Sequence, residues 1–130
     1  MANAAADRPS TRLAGRQSIT IPHPLPAPLT ERIAERFRIL GEPMRIRLLD
    51  ALRGREATVG ELQEATGASQ QNVSRHLGVL LRSGIVDRRK DGNYAVYSVA
   101  DPAVFALCEE VCGGLRREVD ELEALLGGGG

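Results

Sequence analysis

The spacing of apolar positions changes twice along the chain and divides it into elements. From about residue 30 to residue 83, apolar residues return every three or four positions, the period of one helix face. Ile46, Leu49 and Leu52 form one such row, and Val73, Leu77 and Leu80 another. The period then falls to two in "IVDRRK" and "YAVYSV", on either side of "DGN", which predicts a β-hairpin. Helical spacing returns at the end. Phe105, Cys108, Cys112, Leu115, Val119, Leu122 and Leu126 alternate at +3 and +4, like the seam of a coiled coil.

Start and stop residues sharpen these boundaries. Thr30 is placed to cap a first helix that runs to Leu40, with Gly41 closing it in the left-handed conformation. Pro43 suits the first turn of a second helix, which ends at Gly54. Thr58 and Glu61 make a capping box that opens a third helix, stopped at Gly67. Ser69 caps a fourth, ended by Gly84; Asp101 and Pro102 open a long fifth helix to about Leu126. The fold class is mainly α with a β-hairpin wing, in the order α-α-α-α-β-β-α. Residues 1–28 end in a Pro-rich run that denies helix and sheet, so they are expected to form a disordered arm. Residues 29–126 form the domain, and the glycines at 127–130 form a fraying tail.

Composition agrees with a helical fold: Leu, Ala, Glu and Arg abound, aromatics are 3% and Trp is absent. The 17 basic and 17 acidic residues cancel, but they are segregated. Residues 70–100 carry a net +3 and residues 101–130 a net −5. A phosphate-binding face needs such segregation. No apolar run approaches the roughly 18 residues of a membrane span, and no signal-peptide core opens the chain. Two cysteines make no disulfide framework, so a cytoplasmic setting with reduced thiols is expected.

The segment "ELQEATGASQQNVSRHL" places two helices across a tight Gly-containing turn, a helix-turn-helix pattern. In that motif the second helix leads into the DNA major groove with its N-terminal residues. Its polar positions, Ser69, Gln70, Gln71, Asn72, Ser74, Arg75 and His76, include no acid. Amides and hydroxyls can donate and accept at base edges, and arginine brings a two-pronged donor. Arg88, Arg89 and Lys90, with Asn93 at the hairpin turn, are placed as a wing that grips phosphate or the minor groove. A solvated helix with a charged hairpin tip is the alternative; helix, wing and charge segregation together weigh against it.

The region from about residue 30 to 115 resembles the ArsR/SmtB-type winged helix-turn-helix repressors. The resemblance is carried by "RILGEPMRIRLLDAL" and by the Ser-x-x-x-x-Ser-x-His-Leu-x-x-Leu core of Ser69, Ser74, His76, Leu77 and Leu80. Gly84 and the strand of Tyr97 follow in the same order. It implies a homodimer that binds double-stranded operator DNA, with the first and last helices at the dimer interface. An inverted repeat with half-sites about 10 bp apart, or a multiple, is the expected operator.

Two metal sites that the resemblance brings to mind lack their ligands. A "CVC"-type site on the third helix would need cysteines where Thr58 and Gly60 stand, and no His follows His76 on the last helix. Cys108 and Cys112 remain, one helical turn apart on the apolar seam. They read either as small interface fillers or as a sensor for a thiophilic metal, metalloid, oxidant or reactive sulfur. A direct disulfide between them would distort the helix, because Cβ atoms at i and i+4 lie about 5–6 Å apart. No resident cofactor is certain. Two other function classes remain: a winged-helix adaptor that binds proteins and no DNA, and a Cys–His enzyme. The enzyme lacks any nucleophile–base pairing, and the adaptor would need an apolar reading face.

Overall fold

Helix α1 spans Ala27–Leu40 and begins earlier than its expected cap. Thr30 lies inside it, and both its backbone N–H and its Oγ1 donate to the Pro26 carbonyl, at 3.0 and 3.2 Å. Pro28 is tolerated because first-turn N–H groups have no intrahelical acceptor. The computed structural model describes residues 20–127. The chain divides into two units that meet within α1, one ending at Ala34 and the other starting at Glu35. Of the expected arm, residues 1–19 lie outside the described residues, as do 128–130 of the tail.

Gly41 does not take the left-handed conformation expected of it. Its N–H donates to the Phe37 carbonyl at 2.8 Å, and a Cβ there would lie 3.0 Å from that oxygen. The glycine is needed for close approach, and the chain turns without a positive φ. Helix α2, Pro43–Ala51, follows with Pro43 in its first turn as expected. Its cap is Glu42, whose carboxylate accepts the N–H groups of Met44 and Arg45 at 2.7 and 3.2 Å.

Helix α2 buries Leu48 and Leu49, followed by Leu52, whereas Ile46 points outward and is 45% exposed. Leu49 and Leu52 are buried as expected, and Leu48 takes the inward place expected of Ile46. Strand β1, Ala57–Thr58, is an addition to the expected order. Helix α3, Val59–Thr66, opens on the expected capping box and closes at Gly67 with φ +74°. Helix α4, Gln70–Arg82, is capped by Ser69 and followed by Gly84 at φ +80°.

Strands β2, Val86–Asp91, and β3, Tyr94–Val99, pair antiparallel from Val86↔Val99 to Asp91↔Tyr94. Gly92 and Asn93 form the connection, with Gly92 at φ +62°. Strand β1 adds to the far side of β3, so the sheet order is β1-β3-β2. The core is built from Leu48, Leu49, Leu52, Leu62, Val73, Leu77, Leu80, Val86 and their neighbours. It lies between α2, α3, α4 and the sheet base. Helix α5, Ala103–Leu125, starts where Asp101 accepts the Ala103 N–H at 2.9 Å, and buries none of its own residues fully.

Candidate nucleic-acid interface

Hydrogen bonds at the helix ends fix the helix-turn-helix. At the N-terminus of α3, Thr58 Oγ1 accepts from Glu61 N–H at 3.2 Å and the Glu61 carboxylate accepts from Thr58 N–H at 2.9 Å. At its C-terminus the buried Thr66 hydroxyl donates to the Leu62 carbonyl and accepts from the Ala68 N–H. Arg47 Nη2 donates to the Thr66 carbonyl at 2.6 Å, which anchors the turn to α2. The Ser69 hydroxyl then accepts from the Asn72 N–H at 3.1 Å. These bonds hold the angle at which α4 leaves the domain.

Helix α4 turns Val73, His76, Leu77 and Leu80 into the core. Its opposite side exposes Ser69, Gln70, Gln71, Ser74 and Arg75, with Asn72 half-buried beside them. The helix contains no Asp or Glu, so nothing on that face repels a phosphate backbone. Arg75 does not wave free: its Nη2 donates to Asn72 Oδ1 at 2.8 Å. Six of the seven expected reading residues therefore gather on one side.

His76 is the seventh, and its placement on the reading face needs correction. It is 3% exposed and occupies the inward stripe, at i+3 from Val73 and next to Leu77. Its Nδ1 lies 3.1 Å from Arg45 Nη1 and its Nε2 lies 3.2 Å from Arg75 Nη2. The Glu42 carboxylate stands 3.9 Å from Nε2. Burial holds the imidazole's pKa below its ordinary 6.5; Arg75 and Arg45 push it the same way, against the pull of Glu42. Glu42 is itself held below the usual carboxylate range. Partial desolvation raises its pKa, but the N–H donors of Arg45 and Met44 and the nearby positive charge outweigh this.

On the wing, Arg88, Arg89, Lys90 and Asn93 are all exposed. Because side chains alternate along a strand, Arg88 and Lys90 project from the face opposite Arg89. Arg89 reaches Glu56, in the loop before β1, through both Nε and Nη2, and approaches Asp91 at 4.0 Å. The guanidinium beside Glu56 holds that carboxyl below its ordinary range. Of the three cations, Arg89 forms ion pairs, whereas Arg88 and Lys90 form none among the described residues.

Glu42, Arg45, Arg47 and Glu56 belong to this arrangement, and for the last three no local sequence pattern assigns these partners. Glu42 was detectable in principle, since it precedes a proline that starts a helix. Arg45 and Glu56 act across 31 and 33 positions, to His76 and Arg89, and no local pattern signals such pairings.

Cys108 is half-buried and Cys112 exposed, both as free thiols. Nearby, Arg53 lies over the Phe105 ring at 4.5 Å and its Nη1 is 3.3 Å from Glu109, so the start of α5 is clasped to the end of α2. Among the described residues, no three of His, Cys, Asp and Glu stand close enough to hold a metal ion within one chain. No helix among them is long and apolar enough to cross a membrane.

Comparison with known proteins agrees with this geometry. A family described as a helix-turn-helix domain matches residues 40–89. Over 100 residues the chain is 40% identical to the HTH-type transcriptional regulator Rv0081 of Mycobacterium tuberculosis, spanning 76% of this chain and 88% of that one. The crystal structure of Rv0081 matches with a TM-score of 0.66 and 39% identity, over 74% of this chain and 97% of that chain. A second similar structure is the homodimeric winged helix-turn-helix DNA-binding domain Mb0332 of Mycobacterium bovis, a possible ArsR-family transcriptional regulator. Its solution structure matches with a TM-score of 0.65 and 26% identity, over 73% of this chain and 88% of that chain. A transcriptional repressor of Synechocystis, an SmtB homolog, is 36% identical over 86 residues, 66% of this chain and 65% of that one. Wing, helix pair and relatives agree: the chain belongs to the ArsR/SmtB-type winged helix-turn-helix transcriptional regulators, a family of DNA-binding proteins and not of enzymes.

Proposed function

We propose that this protein is a homodimeric repressor that binds an inverted-repeat operator. Ser69, Gln70, Gln71, Asn72, Ser74 and Arg75 at the start of α4 read base edges in the major groove. Arg88, Arg89, Lys90 and Asn93 on the wing contact backbone or minor groove, which sets affinity more than sequence choice. The observation that carries this reading is the exposed, acid-free polar side of α4, held at a fixed angle by the Ser69 and Thr58 caps. An adaptor that binds proteins in place of DNA is disfavoured by the same face, where α4 exposes no large apolar side chain.

Dimerisation has its own support. Val111, Leu115, Val119 and Leu122 on α5, and Leu126 just after it, are each at least half exposed, as is Phe37 on α1. Apolar rows of that length on a soluble chain call for a partner surface, and the M. bovis relative is homodimeric. The test is selection of duplexes from a random library by the purified protein in reducing buffer. The expected product is an inverted repeat with half-site centres about 10 bp apart or a multiple. A library that emerges unenriched contradicts the reading.

We extend the proposal to the thiols. Cys108 and Cys112 sit where α5 faces the partner, so a thiophilic ion or an oxidant that joined thiols across the dimer axis would shift the two reading helices relative to each other. Replacing both with Ser is expected to leave DNA affinity in reducing buffer intact and to abolish release by Hg²⁺, arsenite, hydrogen peroxide or polysulfide. Release of the doubly substituted protein by one of these agents, at the wild-type dose, removes the thiols from that role.

A further inference from the structure

The geometry points to His76 as a positioning residue for Arg75, one that acts on DNA recognition without touching DNA. The inference rests on the proposal that Arg75 reads the operator. A side chain that is buried, polar and wedged between two guanidinium groups is costly unless its hydrogen bonds return the loss. A leucine would fill the inward stripe at this position as well as the leucine beside it does.

What the imidazole supplies is a lone pair. Neutral imidazole has one accepting nitrogen and one N–H. With the proton on Nδ1, the Nε2 lone pair accepts from Arg75 Nη2 at 3.2 Å. The same Nη2 already donates to Asn72 Oδ1 at 2.8 Å. Asn72 from one side and His76 from beneath then hold the guanidinium at the exposed edge of α4. With the proton on Nε2, the Nδ1 lone pair accepts from Arg45 instead, at 3.1 Å, and Arg75 keeps Asn72 alone as its acceptor. Arg45 has a second acceptor, the Ile39 carbonyl at the end of α1, which its Nε meets at 2.7 Å. Arg45 thus keeps an acceptor without His76, while in the tautomer that serves Arg75 the Nδ1–H faces Arg45 Nη1 and that contact is not a hydrogen bond.

The consequence for binding is entropic. An arginine in water samples many rotamers, and ordering it at a base edge subtracts from affinity. A guanidinium already held near its bound position loses less. The imidazole performs this role only while uncharged, because a proton would set a third cation between Arg45 and Arg75, with Glu42 as the sole opposing carboxylate of the group.

The experiment is a double-mutant cycle. Wild type, Arg75→Ala, His76→Leu, His76→Gln and the Arg75→Ala/His76→Leu double variant are compared by fluorescence anisotropy at one salt concentration. Each is measured on the duplex selected by wild type and on a scrambled duplex of equal composition, with melting curves as a check of folding. His76→Leu is expected to weaken binding to the selected duplex about tenfold, roughly the effect of one newly mobile side chain, and to leave the scrambled duplex unchanged. His76→Gln, which keeps an acceptor, should recover most of that loss. The double variant should bind no more weakly than Arg75→Ala alone. If His76→Leu does not fold, His76→Met takes its place. Additive losses, or wild-type affinity in the leucine variant, overturn the positioning role while Arg75 keeps its own. Wild-type affinity in Arg75→Ala overturns the reading of Arg75, and the positioning role with it.

Discussion

Helices α4 and α5 carry equally regular apolar rows, yet they end in opposite circumstances. On α4, Val73, His76, Leu77 and Leu80 are all buried against α2, α3 and the base of the hairpin. On α5, no residue is fully buried, and Leu115, Val119 and Leu122 each leave half or more of their surface in water. Only its first turns are held, through Val104, Phe105 and the Arg53 clasp. Periodicity therefore reports that a face will be covered and says nothing of what covers it. One chain satisfies α4, whereas α5 is left with a surface suited to a second copy.

The largest expected effect separates these two helices. Leu77→Ala should destabilise the fold by about 2–5 kcal/mol, since it opens a cavity in a closed core. Leu122→Ala should leave the melting of the dilute single chain unchanged and raise the dimer dissociation constant by roughly tenfold or more, as expected for lost apolar burial. Chemical denaturation and sedimentation equilibrium give the two numbers. Equal loss of stability in both variants at high dilution breaks the comparison, because α5 would then pack against its own chain.

A second, smaller effect concerns pH and sharpens the account of α4. His76 has its pKa lowered in the folded chain, so between the ordinary 6.5 and the folded value the unfolded chain binds more protons. Stability therefore falls as pH drops through that window. Arg45 and Arg75 make this steeper, and Glu42 moderates it. His76→Gln should lose this component, so that the stability difference between variant and wild type changes below pH 6.5 and stays flat above it. A constant difference across both ranges shows that the imidazole is not held neutral.

These contrasts mark how far the sequence was legible. Caps and turns acted locally and could be read: the Thr58–Glu61 box, Ser69, Pro43 and Gly67 all fall as expected. Thr30 misled because Ala27 and Pro28 continue the same helix upstream, and a threonine inside a helix looks like one at its start. Strand β1 has two residues, too short to show a period, and exists because Ala57 and Thr58 find Tyr97 and Val96. Polarity groups His76 with the reading face and leaves DNA contact or helix packing open, whereas its spacing from Val73 and Leu80 places it inward. The pairing of Glu56 with Arg89 depends on tertiary packing, which leaves no trace in local pattern.

That pairing underlies the smallest predicted effect and contrasts wing with helix. Arg75 donates to the uncharged Asn72 amide, whereas Arg89 is shared with the Glu56 carboxylate, with which any phosphate that reached it would compete. Glu56→Gln should tighten binding to any duplex and steepen the dependence of log affinity on log salt by about one unit. A salt slope equal to that of wild type shows that Arg89 does not meet phosphate.

We propose that the polar side of α4 reads sequence. The most direct measurement is the affinity of the wild-type protein for its selected duplex and for the scrambled duplex, titrated at the same salt concentration. Specific recognition predicts at least about a thousandfold preference for the selected duplex. Equal affinity for the two would leave only backbone attraction, with no reading of sequence by α4.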